Sequence, residues 1–131
     1  MPVYSRKVTV NASSTKEEEI EIRGDIITKV RIRFPPGPSG LLKVAINYGI
    51  KRVFPFEEDT WFYGDDEIIE WEEYWEFPEK PLKLKIVAEN EDDTYDHSFY
   101  LVLVTKYKHE MLFSLIAKAI ITAFKRLFGW V

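Results

Sequence analysis

The sequence predicts an all-β chain: an antiparallel β-sandwich, of the jelly-roll or immunoglobulin-like kind, closed by a C-terminal amphipathic α-helix. Three observations carry this. Apolar and charged residues alternate with period two through most of residues 1–107. Turn-forming residues interrupt that alternation at strand-length intervals. Residues 108–131 then change to a period of about 3.6.

The strands follow in order. Val8 and Val10 alternate with Lys7 and Thr9, and Ile20 and Ile22 with Glu19 and Glu21. Val30, Ile32 and Phe34 alternate with Lys29, Arg31 and Arg33. Leu42, Val44, Ile46 and Tyr48 obey the same rule, as do Leu82, Leu84, Ile86 and Ala88, with Lys83 and Lys85 facing away. Phe99, Leu101 and Leu103 end the series, on a strand whose two faces are both apolar. Each such run buries one face. Gly24-Asp25, the run Pro35 to Gly40, Gly49, Glu57 to Asp59, Gly64 to Asp66, Pro78 to Pro81 and Asn90 to Asp93 supply the turns. About seven to nine short strands with no crossover helices exclude a parallel α/β sheet.

The tail reads differently. Ser114, Lys118, Thr122, Lys125 and Arg126 fall within an arc of about 120° at ~100° per residue. The rest of the circumference is apolar. A helix beginning at His109 or Glu110 and ending at Gly129 is expected. Met111, Leu112, Phe113, Leu115, Ile116, Ala119, Ile120, Ala123, Phe124, Leu127, Phe128 and Trp130 form its candidate self-association or membrane-facing surface. Two parts result: a β-sandwich domain, 1–107, and an amphipathic helix, 108–131.

Composition narrows the function classes. With 131 residues and 46 % hydrophobic side chains, the chain can fill one core. Cysteine is absent, which removes disulfides, thiol nucleophiles and Cys-based zinc sites. Glutamine is also absent and asparagine occurs three times, against abundant Lys, Glu and Ile. That balance is the one expected of a hyperthermophile protein. No basic stretch followed by an apolar run opens the chain, so no secretory signal is expected. A virion or cytoplasmic location, with membrane association as an option, follows. Residues 106–131 carry Lys106, Lys108, Lys118, Lys125 and Arg126 against Glu110, a net of +4. The preceding 105 residues hold 13 basic and 21 acidic side chains, a net of −8. An acidic body repels phosphates, so nucleic acid is not an expected partner of the body.

No catalytic constellation emerges. Val53 to Glu79 holds eleven acidic residues and no Lys or Arg, together with Trp61, Trp71 and Trp75. Aromatic rings among carboxylates suit sugar binding, and paired carboxylates serve glycoside hydrolysis when correctly spaced. The simpler reading sets Ile69, Trp71, Trp75 and Phe77 inward and leaves the glutamates solvated. Glu89, Glu91, Asp92, Asp93 and Asp96 are an oxygen-rich cluster, read first as a charged hairpin tip rather than a calcium loop. His97, the body's single histidine, is read as structural, bonding a loop carbonyl. No metal ligand set and no cofactor is expected.

The order FPPGPSG (34–40), INYG (46–49), FPFEEDTW (54–61), YGDDE (63–67), ENEDDTYDH (89–97) and FYLVLV (99–104) resembles small jelly-roll-like β-sandwich structural proteins from viruses and mobile elements of archaea and bacteria. The resemblance covers about residues 30–104. It implies a virion-associated or surface structural module and no catalytic residue. The tail lies outside it.

Four fates are open to the tail: burial in its own core, burial in a homo-oligomer or larger assembly, adsorption to a membrane surface, or oblique insertion into one. Assembly leads, because a sandwich already covers its inner faces. The leading expectation is therefore a non-enzymatic structural subunit that self-associates through the helix. The alternatives are a carbohydrate- or receptor-binding module using Trp61, Trp71 or Trp75, and a peripheral membrane protein anchored by the helix.

Overall fold

A computed structural model describes residues 2–129. Nine strands precede one helix: β1 (Val3–Val10), β2 (Ser14–Ile22), β3 (Ile26–Phe34), β4 (Leu42–Tyr48), β5 (Lys51–Phe54), β6 (Phe62–Tyr63), β7 (Glu67–Glu76), β8 (Leu82–Asn90), β9 (His97–Lys106) and α1 (Lys108–Leu127).

The strands form two antiparallel sheets. One has the order β1-β9-β3-β7, and the other β2-β8-β4-β5, with β6 paired to β4. The pairs β1·β9, β2·β8, β3·β7 and β4·β5 are those of one long hairpin. The pairs β9·β3 and β8·β4 fasten that hairpin into a roll. This connectivity is a jelly roll, which decides between the two sandwich types the sequence allows.

The alternation does what the sequence expects of it. Val8, Val10, Ile20, Ile22, Val30, Ile32, Phe34, Leu42, Val44, Ile46, Leu82, Leu84, Ile86, Phe99, Leu101 and Leu103 are all in the buried core. Phe34 meets Phe99 across it at 6.5 Å. The second apolar face of β9 is turned outward, where Tyr100, Val102 and Val104 are half-buried. Tyr100 lies under both Lys7, 5.8 Å from the ring centre, and Arg33, at 5.5 Å.

Period two breaks in β3. The register of β3 shifts between Ile27 and Lys29 against both neighbours. Thr28 bulges out of the ladder and donates its hydroxyl to the Val104 carbonyl at 3.3 Å. One extra residue reverses the pleat, so Ile27 and Val30 both point inward although three positions apart. Two short strands, β5 and β6, lie in the aromatic acidic stretch where no alternation marks them.

The β2–β3 turn requires glycine. Gly24 has φ +136°, and a Cβ there would sit 2.9 Å from Thr105 Oγ1. That same hydroxyl donates to the Arg23 carbonyl at 2.7 Å. The close approach holds the turn against the end of β9 and places Asp25 beside the start of α1.

Candidate interaction surfaces

The helix α1 begins at Lys108, one or two residues before the expected start. Tyr107 occupies the N-cap in extended conformation and offers no side-chain bond of its own. The cap comes from elsewhere: Asp25 Oδ2 accepts the Lys108 backbone N–H at 2.7 Å. The Asp25 backbone N–H is bonded to the Lys106 carbonyl at 2.9 Å, and its carbonyl accepts from Phe77 at 2.8 Å. Lys80 pairs with the other carboxylate oxygen. These bonds, the Lys80 hydrogen bond first and the Lys108 N–H second, hold the Asp25 carboxyl below the usual carboxylate range. Ala, Leu and Lys at nine of the twenty positions favour the helix. Phe128 N–H returns to the Phe124 carbonyl, and Gly129 follows with φ +69°, the conformation that ends helices. Lys125 and Arg126 occupy the last turn, where the helix dipole favours cations.

None of the helix residues is buried. The first turn meets the body: Met111 borders a shallow recess with Val3, Thr28, Lys29, Glu72 and Val104. Burial of the tail in its own core is thereby removed as an option for the described residues. Leu112, Phe113, Leu115, Ile116, Ile120, Phe124, Leu127 and Phe128 are exposed by between 46 % and 79 %. Ala119 and Ala123 are exposed among them, and Met111 is partly covered. Ile121, which the sequence reading left out, is 54 % exposed at the border of the apolar arc. Trp130 lies outside the described residues. No described helix is long and apolar enough to cross a membrane.

A second apolar surface lies on the body, where β5, β6 and β7 meet. Strand β7 pairs only with β3 and is a sheet edge. Ile69, Trp71 and Trp75 on its inner face pack against the core, as the simpler reading of this stretch has it, and Phe77 is buried. Phe54 lies between Trp71, at 5.8 Å, and Trp75, at 6.2 Å, edge-on to both. Phe62 meets Trp71 at 5.2 Å, and Tyr48 meets Trp75 at 6.3 Å. Trp61 stands apart, under the Arg52 guanidinium at 4.5 Å from the ring centre. Arg52 is itself fixed by Asn47 Oδ1 at 2.7 Å and by the Thr60 carbonyl. The three tryptophans thus do not form one platform. Trp71 and Trp75 are half-buried wall, and Trp61 is part of the β5–β6 connection.

Outside this wall, Phe56 (80 % exposed) overhangs a recess bordered by Tyr48, Lys51, Arg52, Trp75, Glu76 and Pro78. Tyr63 on β6 and Ile68 and Tyr74 on the outward side of β7 are also exposed. Glu57, Glu58, Asp59, Asp66, Glu67, Glu70, Glu72, Glu76 and Glu79, on the β5–β6 connection, β7 and its flanking turns, are all exposed. Glu70 is paired with Lys29 at 3.0 Å.

The β8–β9 loop is internally bonded. Asp92 accepts the backbone N–H of Thr94 at 2.9 Å and of Tyr95 at 3.3 Å. Its second oxygen meets His97 Nε2 at 2.7 Å. The Thr94 N–H first, then His97, keep the Asp92 carboxyl below its ordinary range. His97 is buried and structural, but its partner is this carboxylate, where the sequence reading had a loop carbonyl. An imidazole N–H beside a fixed carboxylate is the stronger bond. Asp96 accepts the Ala12 N–H at 2.8 Å. Among the described residues no group of three or more acidic or histidine side chains is arranged to hold a metal ion.

No family model matches the chain, and no curated protein matches it. Among solved structures it is similar to the Yersinia pseudotuberculosis-derived mitogen, at 12 % identity and TM-score 0.43, over 79 % of this chain and 86 % of that one. It is similar to PliG of Aeromonas hydrophila, a periplasmic inhibitor of g-type lysozyme, at 12 % identity and TM-score 0.45, over 77 % and 83 %. The VP2 subviral particle of infectious bursal disease virus matches at 13 % identity and TM-score 0.34, over 79 % of this chain and 33 % of that one. The jelly-roll assignment stands on the strand pairing, and nothing about function is drawn from these likenesses.

Proposed function

We propose that this chain is a structural subunit with no reaction of its own, part of a virion or a comparable surface assembly, and that α1 ties one copy to another. One observation carries this: a twenty-residue helix, apolar around about two-thirds of its girth, has no buried side chain in its own chain. Burying a large apolar side chain is worth ~1.5–3 kcal/mol, and α1 offers several together. An apolar face of this size exceeds the few hundred Å² that monomers ordinarily leave in water. A second copy supplies a matching surface at the same concentration as the first. The setting is supported by the resemblance over residues 30–104. The jelly roll itself occurs in capsid and lectin domains alike, so the fold leaves the decision to the helix.

Light scattering over a range of concentrations tests the proposal. The wild-type chain is expected to show a mass above one subunit. Phe113→Glu with Ile120→Glu places two charges on the centre of the apolar face and is expected to give a monomer with an unchanged β spectrum. A monomeric wild type, or a variant with the wild-type mass, sinks the proposal.

A second reading has its own observation. Lys118, Lys125 and Arg126 share one polar arc beside the apolar one, the pattern of helices that lie on anionic lipid. Flotation with anionic liposomes at low salt distinguishes it, and a chain that stays at the bottom of the gradient counts against it.

A further inference from the structure

We infer that α1 of one copy docks on the aromatic edge formed by β5, β6 and β7 of a second copy, so that the assembly grows head to tail. This rests on the self-association proposed above and adds the surface that receives the helix. Both surfaces carry uncovered apolar side chains in the single chain: α1 has no buried residue, Phe56 stands exposed over the recess at Tyr48, Trp75 and Pro78, and Ile68 and Tyr74 stand exposed on the outward side of β7.

Charge selects this pairing over helix against helix. Residues 106–131 carry a net of +4, whereas β5 to Glu79 carries eleven acidic residues against Lys51 and Arg52, a net of −9. Two tails side by side would bring together two segments that each carry a net of +4. Set on the edge, the tail meets carboxylates that form no ion pair among the described residues, Glu57, Glu58, Glu67 and Glu72 among them. At ~100° per residue, Lys125 and Arg126 fall near the two borders of the polar arc. Their long stems let them reach down beside an apolar face that is seated on the recess.

The lengths agree as well. A twenty-residue helix spans ~30 Å, and the ten-residue strand β7 spans ~33 Å. A helix laid along β7 therefore covers the edge from end to end. It also shields a row of unpaired strand groups that an exposed edge leaves open to uncontrolled pairing. The contact joins two different surfaces, so a pair of copies keeps one free helix and one free edge. Rings or open chains follow, and not closed isologous dimers.

Mixing two broken chains tests this. The tail variant is Phe113→Glu with Ile120→Glu. The edge variant is Phe56→Lys with Tyr74→Lys, both at exposed positions. Each alone is expected to be monomeric, with self-association weakened at least ~30-fold, as loss of a central contact implies. An equimolar mixture is expected to give a two-chain species and nothing larger, since one good helix and one good edge remain. If the edge variant keeps the wild-type mass while the tail variant loses it, the helices pair with one another and the inference falls alone. A mixture that stays monomeric also overturns it. If both variants keep the wild-type mass, or the wild type is monomeric, the inference falls together with the proposed function. Should near-UV circular dichroism show the edge variant misfolded, Phe56→Lys alone, at a position 80 % exposed over the recess, replaces it under the same criteria.

Discussion

Asp25 Oδ2 accepts the backbone N–H of Lys108 at 2.7 Å, so helix α1 is capped by a turn that lies 83 residues earlier in the chain. The helix is exposed along its length, yet its first turn is anchored. The body aims the helix without covering it.

Removing that anchor is expected to free the helix while leaving the sandwich folded. In Asp25→Ala the Lys108 N–H loses its acceptor and Lys80 its partner. Amide exchange in the first turn of α1 should quicken by about fivefold, the scale of a lost N-cap, with β-strand amides unchanged. Uniform exchange in both would show that Asp25 holds the body and not the helix.

Acid should weaken the fold through two carboxylates. Asp25, chiefly through Lys80, and Asp92, chiefly through the Thr94 N–H, are held below the ordinary carboxylate value of about 4. A carboxyl whose folded pKa is lowered binds fewer protons folded than unfolded. Its stabilisation is complete above the unfolded value and disappears as pH falls through the folded one. Thermal midpoints should therefore be level above about pH 5 and drop below pH 4. Asp92→Asn should lower the midpoint at neutral pH and flatten this acid limb, and an unchanged limb in that variant would assign the loss to other groups.

Gly24 is expected to tolerate no side chain. At φ +136° an L residue is strained, and the new Cβ would press on Thr105 Oγ1 at 2.9 Å. Gly24→Ala should cost about 1–3 kcal/mol in urea unfolding. Gly49, at φ +62° with nothing within 4 Å, is the control, and its alanine variant should cost less. Equal losses would mean that backbone strain, and not the contact with Thr105, sets the effect.

Much of this was legible in the sequence because it is written in short-range pattern. Val30, Ile32 and Phe34 alternate with charges, and that alone states which face they bury. The uncovered helix face was legible for the same reason. The β3 bulge was not, since Ile26-Ile27 reads as an ordinary apolar pair until its two neighbours are known. Strands β5 and β6 were hidden because their segment is apolar on more than one face. The helix cap and the carboxylate partner of His97 depend on loops brought together by the roll, which no local pattern encodes. Ile121 was missed for a smaller reason: it borders the polar arc, where a wheel assigns residues to either face.

The tryptophans make the last prediction. Trp71 packs on Phe54 and Phe62, so Trp71→Ala opens a hole in the wall of the core and should cost about 3 kcal/mol. Trp61 is held by one cation–π contact with Arg52, and Trp61→Ala should cost about 0.5–1 kcal/mol. Urea unfolding measures both, and equal losses would contradict the separation of the two rings. The same pair addresses sugar binding. A ligand stacked on an open ring needs that ring's face, and the Trp71 ring is occupied by two phenylalanines. A glycan array on the wild-type chain is expected to be silent. Binding abolished by Trp61→Ala, with stability retained, would instead make the β5–β6 connection a sugar site and displace assembly as the role of this edge.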